Sequence, residues 1–236
     1  MSSWSSHVFA HGEFIELASN LWVLTGSLIK SPLPRNMVVY RLPSGGLWIH
    51  SAIALDEAGM SRLESFGSPE ILVVPNRFHR ADAAVYKERY PELIVCCPEG
   101  TRTAVESVVA VDKDDVVALE GTGISIHQPV GENPFEHVYE LPIGESVALI
   151  CADTVFNIQE HFGGIPGFIS RYITGSTGFF GVTRIGSFFL WGKTDRMKGW
   201  LNEQAERTEL SVFCMSHGEP ITTDLGQHLR AASARL

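Results

Sequence analysis

The sequence predicts an α+β chain in which two strand-rich stretches alternate with helices. Short apolar runs bounded by Gly, Pro, Asn and Ser recur through the first half and again in the middle. Amphipathic segments with helix start and stop signals lie between and after them. One stretch reads strand, helix, strand, the alternation that parallel neighbours require.

Taken in order, candidate strands open the chain at residues 14–17, 21–25, 37–42 and 47–50, with Pro43-Ser44-Gly45-Gly46 as the turn between the last two. A helix follows from Asp56 to residue 66, with Leu63 and Phe66 on one face and Gly67 as its stop. The apolar run 71–74 reads as a buried strand, 75–80 as a loop, 81–90 as a helix and 93–97 as the next strand. The β-branched runs 105–111 and 116–119 read as strands as well. Strands at 123–127, 136–141 and 146–152 come next, the last two joined by the hairpin turn Pro142-Ile143-Gly144-Glu145. Residues 163–192 are rich in glycine and aromatics, which pack in a core more often than they line a pocket. Amphipathic helices at 193–208 and 222–235 close the chain, the second with Thr222 or Thr223 as N-cap.

Composition narrows the function classes. The 236 residues, 44% hydrophobic and 19% charged, suffice for one sizeable core, and no linker-like stretch divides residues 1–236, so a single domain is expected. A formal charge of −9 without any Lys/Arg-rich run excludes a nucleic-acid partner. The first residues lack the apolar core of a signal peptide, and no run approaches the roughly 18 apolar residues of a membrane span. The four cysteines sit in apolar segments without metal-type spacing, which suits reduced core thiols in the cytoplasm.

Four strand exits carry groups capable of chemistry: His50, the Asn76/His79 loop, Asp153 and His217. Ligands tend to sit beyond the carboxyl ends of strands in sheets covered by helices. Asp153 follows the run Ser146 to Ala152, and His217 follows Leu210 to Met215 in a His-Gly turn where the backbone can bend without a side chain. Imidazole and carboxylate are the N and O donors that zinc, iron or manganese accept, with a position left open for water. Each residue also has a duller use: a strand-end imidazole often caps a carbonyl, and Asp153 before Thr154 suits the cap of a helical turn. Arg77 and Arg80 are candidates for holding a substrate anion, with Asn76 beside them.

The order of these segments resembles the metallo-β-lactamase-like hydrolase superfamily. That family's ligands come from an Asp-x-Gly strand end, a His-x-His-x-Asp-His loop, a Gly-His turn, a Gly-Asp strand end and a Gly-His-Gly strand end. Here Gly46 to His50 occupies the first place, Ile71 to His79 the second and Gly131-Glu132 the third. Ala148 to Phe156 and Met215 to Pro220 match the last two, and only these are specific. The His-x-His-x-Asp-His run is absent: Asn76 and Phe78 stand at its leading histidines, and Arg80 and Ala81 where Asp-His would lie. The loop therefore resembles a divergent branch that reads Pro-Asn-x-x-His. The resemblance implies an αββα sandwich of two mixed sheets flanked by helices. Of the family's two-metal ligand set only Asp153 and His217 carry over directly, with His79 as a substitute, so the expectation is one divalent metal at most, held by His79, Asp153 and His217, with His50 as base or orienting group.

The expectation is a single-metal hydrolase of an ester, thioester or phosphoester in a small molecule. The competing one is a non-catalytic binding module without metal, using the Gly/aromatic segment against an apolar ligand or a second copy in a homo-oligomer. A metal-free hydrolase with His50 or His79 as base has no nucleophile-elbow signal to support it.

Overall fold

The computed structural model describes residues 3–28, 31–131, 135–159, 163–168, 175–184, 186–190 and 192–236. It divides into two compact units, Met1–Ile29 with Arg35–Ile124, and Lys30–Pro34 with Ser125–Leu236.

The first unit is built on a seven-stranded sheet whose strands follow sequence order. These are β1 (Ile15–Ala18), β2 (Leu21–Leu28), β3 (Ser31–Arg41), β4 (Leu47–His50), β5 (Pro69–Val73), β6 (Ile94–Cys97) and β7 (Lys113–Asp114). β1 with β2 and β3 with β4 pair antiparallel, across connections short enough for hairpins. From β4 to β7 the pairing is parallel, because each connection is long enough to carry a helix and return. Those helices are α1 (Glu57–Phe66), α2 (Ala83–Arg89) and α3 (Arg102–Glu106), and α4 (Asp115–Ala118) follows β7.

α1 starts where the sequence predicts: the Asp56 carboxylate accepts the Gly59 amide at 2.8 Å, satisfying one of the helix's orphan donors. Met60, Leu63 and Phe66 form its buried face. Phe66 stacks on Trp22 of β2, ring centroids 4.1 Å apart and planes nearly parallel. Leu24, Met37, Ile49, Leu55, Leu72 and Tyr86 complete the middle of this core. Each fully buried side chain of this size contributes roughly 1.5–3 kcal/mol over leaving it in water.

The second unit holds β8 (Ser125–His127), β9 (Val138–Ile143), β10 (Ser146–Cys151), β11 (Val155–Ile158), β12 (Phe179–Val182) and β13 (Leu210–Met215). Its helices are α5 (Gly164–Phe168), α6 (Thr194–Ala205) and α7 (Leu225–Ala234). One sheet has the order β13-β10-β9-β8, and β11 and β12 form a two-stranded ribbon. β9 and β10 make the predicted hairpin, while β10 and β13 lie parallel, with Cys151 opposite Met215. Leu149, Phe213, Met197, Leu201, Leu225 and Leu229 form its core.

Several local expectations are corrected. The β-branched runs at 105–111 and 116–119 are not strands: α3 ends with the Val109 amide donating to the Val105 carbonyl, and residues 115–118 form α4. Val116 and Val117 are both exposed, so these neighbours do not alternate between faces as strand residues would. Asp224, not Thr222 or Thr223, is the N-cap of α7, in the left-handed region at φ 51°. Asp153 caps no helix; it lies in the turn between β10 and β11. The four cysteines are free and buried, and burial pushes the thiols up, Cys214 to about 12. Among the described residues, no helix is long and apolar enough to cross a membrane.

Candidate metal centre

The strongest predicted pair comes from strand register. β10 and β13 run parallel with Cys151 opposite Met215, so the residues two places on, Asp153 and His217, leave neighbouring strands side by side. His217 Nε2 lies 3.0 Å from Asp153 Oδ1, and both side chains are buried.

The His-Gly turn is fastened to β11. The Asn157 amide donates to the His217 carbonyl at 2.9 Å, the Glu219 amide to the Asn157 carbonyl at 3.0 Å, and the Asn157 side-chain amide to the Glu219 carbonyl at 2.7 Å. Gly218 has φ 100°, and a Cβ there would sit 1.9 Å from the Asn157 carbonyl oxygen. Glycine is required at this position both by conformation and by space.

The protons can be placed from the partners. His217 Nδ1 lies 2.6 Å from the Pro34 carbonyl oxygen, which can only accept, so Nδ1 carries a proton. Nε2 then faces a carboxylate oxygen, and two acceptors do not meet at this distance without a proton or a cation between them. A proton shared by the pair, on the ring or on the carboxyl, meets the need; a metal ion in its place meets it equally. Two donors held at about 2.0–2.2 Å from one ion, at angles of about 90–110°, lie roughly 3–3.5 Å apart. The observed separation of 3.0 Å meets that spacing. Burial alone pushes the imidazole down, but the Asp153 carboxylate, the Pro34 carbonyl and the charge of Glu136 outweigh it, so His217 sits above its ordinary value.

In the first unit, His79 is buried in the loop after β5, with Nδ1 2.6 Å from Ser51 Oγ. Ser51 follows β4 directly and holds φ 60°, a left-handed conformation uncommon for serine. Its amide donates to the Val73 carbonyl at the end of β5. His50, the last residue of β4, is fully buried and stacks on Trp48 with ring centroids 5.6 Å apart. Asn76 shapes the loop: its side-chain oxygen accepts the Phe78 amide at 2.8 Å. Arg77 lies over the exposed Phe78 ring at 4.7 Å. Arg80 turns onto the α3 region, donating to the Ala104 carbonyl and to Ser107 Oγ.

Two residues at these positions escape sequence reading. Ser51 gives no signal, because a serine after a strand is ordinary. Glu136 is buried, and its carboxylate accepts the amides of Asp153 and Thr154 and the Thr154 hydroxyl. A charged residue at a predicted strand's start suggests solvent, and nothing local reveals partners 17 and 18 residues away. Glu132 of the third family position lies outside the described residues, as does Trp191 of the Gly/aromatic segment. That segment divides elsewhere: Phe180, Phe189 and Leu190 are buried, whereas Ile165, Phe168 and Phe188 are exposed.

No protein-family model matches the sequence, and no curated protein matches it. Solved structures do. The DIM-1 metallo-β-lactamase, from a crystal exposed to ceftazidime, is similar over 96% of this chain and 99% of its own, at 12% identity and a TM-score of 0.58. The TMB-1 structure is similar over 94% of this chain and 97% of its own, at 11% identity and a TM-score of 0.59. At such low identity the likeness is one of architecture, and it spans nearly the whole of each chain. The chain therefore has the α+β, αββα fold of the metallo-β-lactamases.

Proposed function

We propose that this protein is a hydrolase that uses one divalent metal ion, held by His79, Asp153 and His217, to cleave an ester, thioester or phosphoester. The observation that carries the reading is the buried Asp153–His217 pair, whose Nε2 and Oδ1 lie 3.0 Å apart, the spacing of two donors on one ion. The donor chemistry supports it: His79, Asp153 and His217 are the His/Cys/Asp/Glu group among the described residues that could hold a metal ion. Two imidazoles and a carboxylate are an ordinary catalytic zinc set. The fold supports it too, since the neighbours are metallo-β-lactamases.

A bound ion would supply Lewis-acid polarisation of the substrate's carbonyl or phosphoryl oxygen. The chain's own residues orient and bind. The Pro34 carbonyl fixes the His217 tautomer, and Ser51 fixes the ring of His79. Full burial suits His50 to an orienting role rather than to that of a base that must reach substrate. Arg77, exposed beside the exposed Phe78, is the better placed arginine for an anionic group. Arg80 already spends its guanidinium on Ala104 and Ser107.

The test is elemental analysis of protein purified without chelator, paired with His217→Ala. The expected result is about one equivalent of zinc, iron or manganese in the wild type and loss of both metal and esterase activity in the variant. Wild-type protein without metal would favour the second reading, a non-catalytic binding module. In that reading the exposed Ile165, Phe168 and Phe188 are the working surface.

A further inference from the structure

Glu136 precedes β9 and is only 3% exposed, an expensive place for a carboxylate. It lies against the turn that carries Asp153, so two acidic groups share one buried neighbourhood with one imidazole. Glu136 Oε2 accepts the Asp153 amide at 2.9 Å, while Oε1 accepts the Thr154 amide at 2.8 Å and the Thr154 hydroxyl at 2.6 Å. Gly186 packs closely against the carbonyls of the same turn. A Cβ on that glycine would lie 2.2 Å from the Thr154 carbonyl oxygen and 2.9 Å from that of Asp153. The turn that sets the direction of the Asp153 side chain is thus held through its amides by Glu136 and crowded at its carbonyls by Gly186.

Tying down a turn does not require a charged group. Serine, threonine or asparagine accept amide hydrogen bonds without bringing a second negative charge beside Asp153. A carboxylate is favoured there when it does two things together: it accepts three donors through a rigid pair of oxygens, and it adds negative charge around a bound cation. We propose that Glu136 is a positioning residue of the metal centre, holding the Asp153 carboxylate toward His217 by capping the Asp153–Thr154 turn. This rests on the metal-centre reading above.

Glu136→Gln separates the parts of that role. The glutamine oxygen can keep the two Thr154 donors, but its amide nitrogen then opposes the Asp153 amide, donor against donor. Zinc affinity, measured by competition with a chromophoric chelator, should fall about 10–100-fold. The visible spectrum of the cobalt-loaded protein should change with it. Amide hydrogen exchange in the metal-free protein should quicken at Asp153 and stay as in the wild type through Ala148, Leu149 and Ile150 of β10. Thr154→Val, which removes only the hydroxyl donor, should weaken zinc by about tenfold, and Thr154→Ser should restore it.

An E136Q protein that binds zinc as tightly as the wild type overturns this inference alone. Should E136Q not fold, T154V with wild-type affinity overturns it in the same way. Wild-type protein that takes up no zinc overturns both this inference and the reading beneath it.

Discussion

Proton placement on single residues decides how the site can work. The Pro34 carbonyl leaves His217 no choice of tautomer, so Nε2 is its working atom. Ser51 holds the His79 ring in place through Nδ1, leaving the tautomer open because a hydroxyl both donates and accepts, and does so from a left-handed backbone conformation at φ 60°. Holding a non-glycine residue there costs about 1–2 kcal/mol, and such strain persists where the surroundings enforce it. Removing the hydroxyl should therefore act on the metal and not on the fold. Ser51→Ala is expected to lose about 10–100-fold in zinc affinity by chelator competition. Ser51→Gly, which relieves the conformation as well, should lose the same affinity without losing stability to urea. Wild-type affinity in both variants would mean that the hydroxyl does nothing for His79.

Between elements, the charged fork at the end of α6 does what the apolar core does elsewhere. Arg207, just past α6, donates from Nη1 and Nη2 to the two oxygens of Glu140 on β9 at 2.6 and 3.2 Å, and His127 of β8 meets the same carboxylate at 2.8 Å. The Arg207 hydrogen bond holds the Glu140 carboxyl below its ordinary value, against burial, with His127 adding to the effect. A folded value below the unfolded one means that this stabilisation is complete above the usual carboxylate range, about pH 4.3. It is lost as the pH falls through the lower, folded value. Glu140→Gln should cost about 1 kcal/mol at neutral pH, after discounting for partial exposure. It should also flatten the acid side of the stability profile, read from urea midpoints between about pH 5 and about pH 3. Parallel acid-side profiles for variant and wild type would remove the fork from the account. Nothing local in the sequence marks this fork, because Glu140 lies 13 residues from His127 and 67 from Arg207.

For the whole molecule, the proposed metal binding is tested through stability. If the ion binds the folded chain and not the unfolded one, zinc at about 100 times its dissociation constant should add about 2.7 kcal/mol to the unfolding free energy. Thermal or urea unfolding with and without zinc reads this directly, and the shift should vanish in Asp153→Asn. An identical gain in that variant would place the zinc elsewhere. The net charge of −9 works in the same direction, attracting cations and repelling polyanions.

Amino-acid pattern alone determined the element types wherever period and punctuation agreed. The Asp56 cap and apolar face of α1, the β9–β10 hairpin and the continuous runs of β5 and β13 were all legible. It also located Asp153 and His217 at strand ends, because an apolar run followed by a polar turn marks its own end. Pattern failed at residues 105–119, where β-branched composition outweighed helical hydrogen bonding between near neighbours. Only the tertiary structure decided which strand ends meet. The parallel register of β10 on β13, the Pro34 carbonyl against His217 and the Glu136 cap on the Asp153 turn join residues far apart in the chain. Side-chain periodicity reports which face of an element is buried. It carries no information about what lies opposite, and that is where the donors and acceptors of this site find their partners.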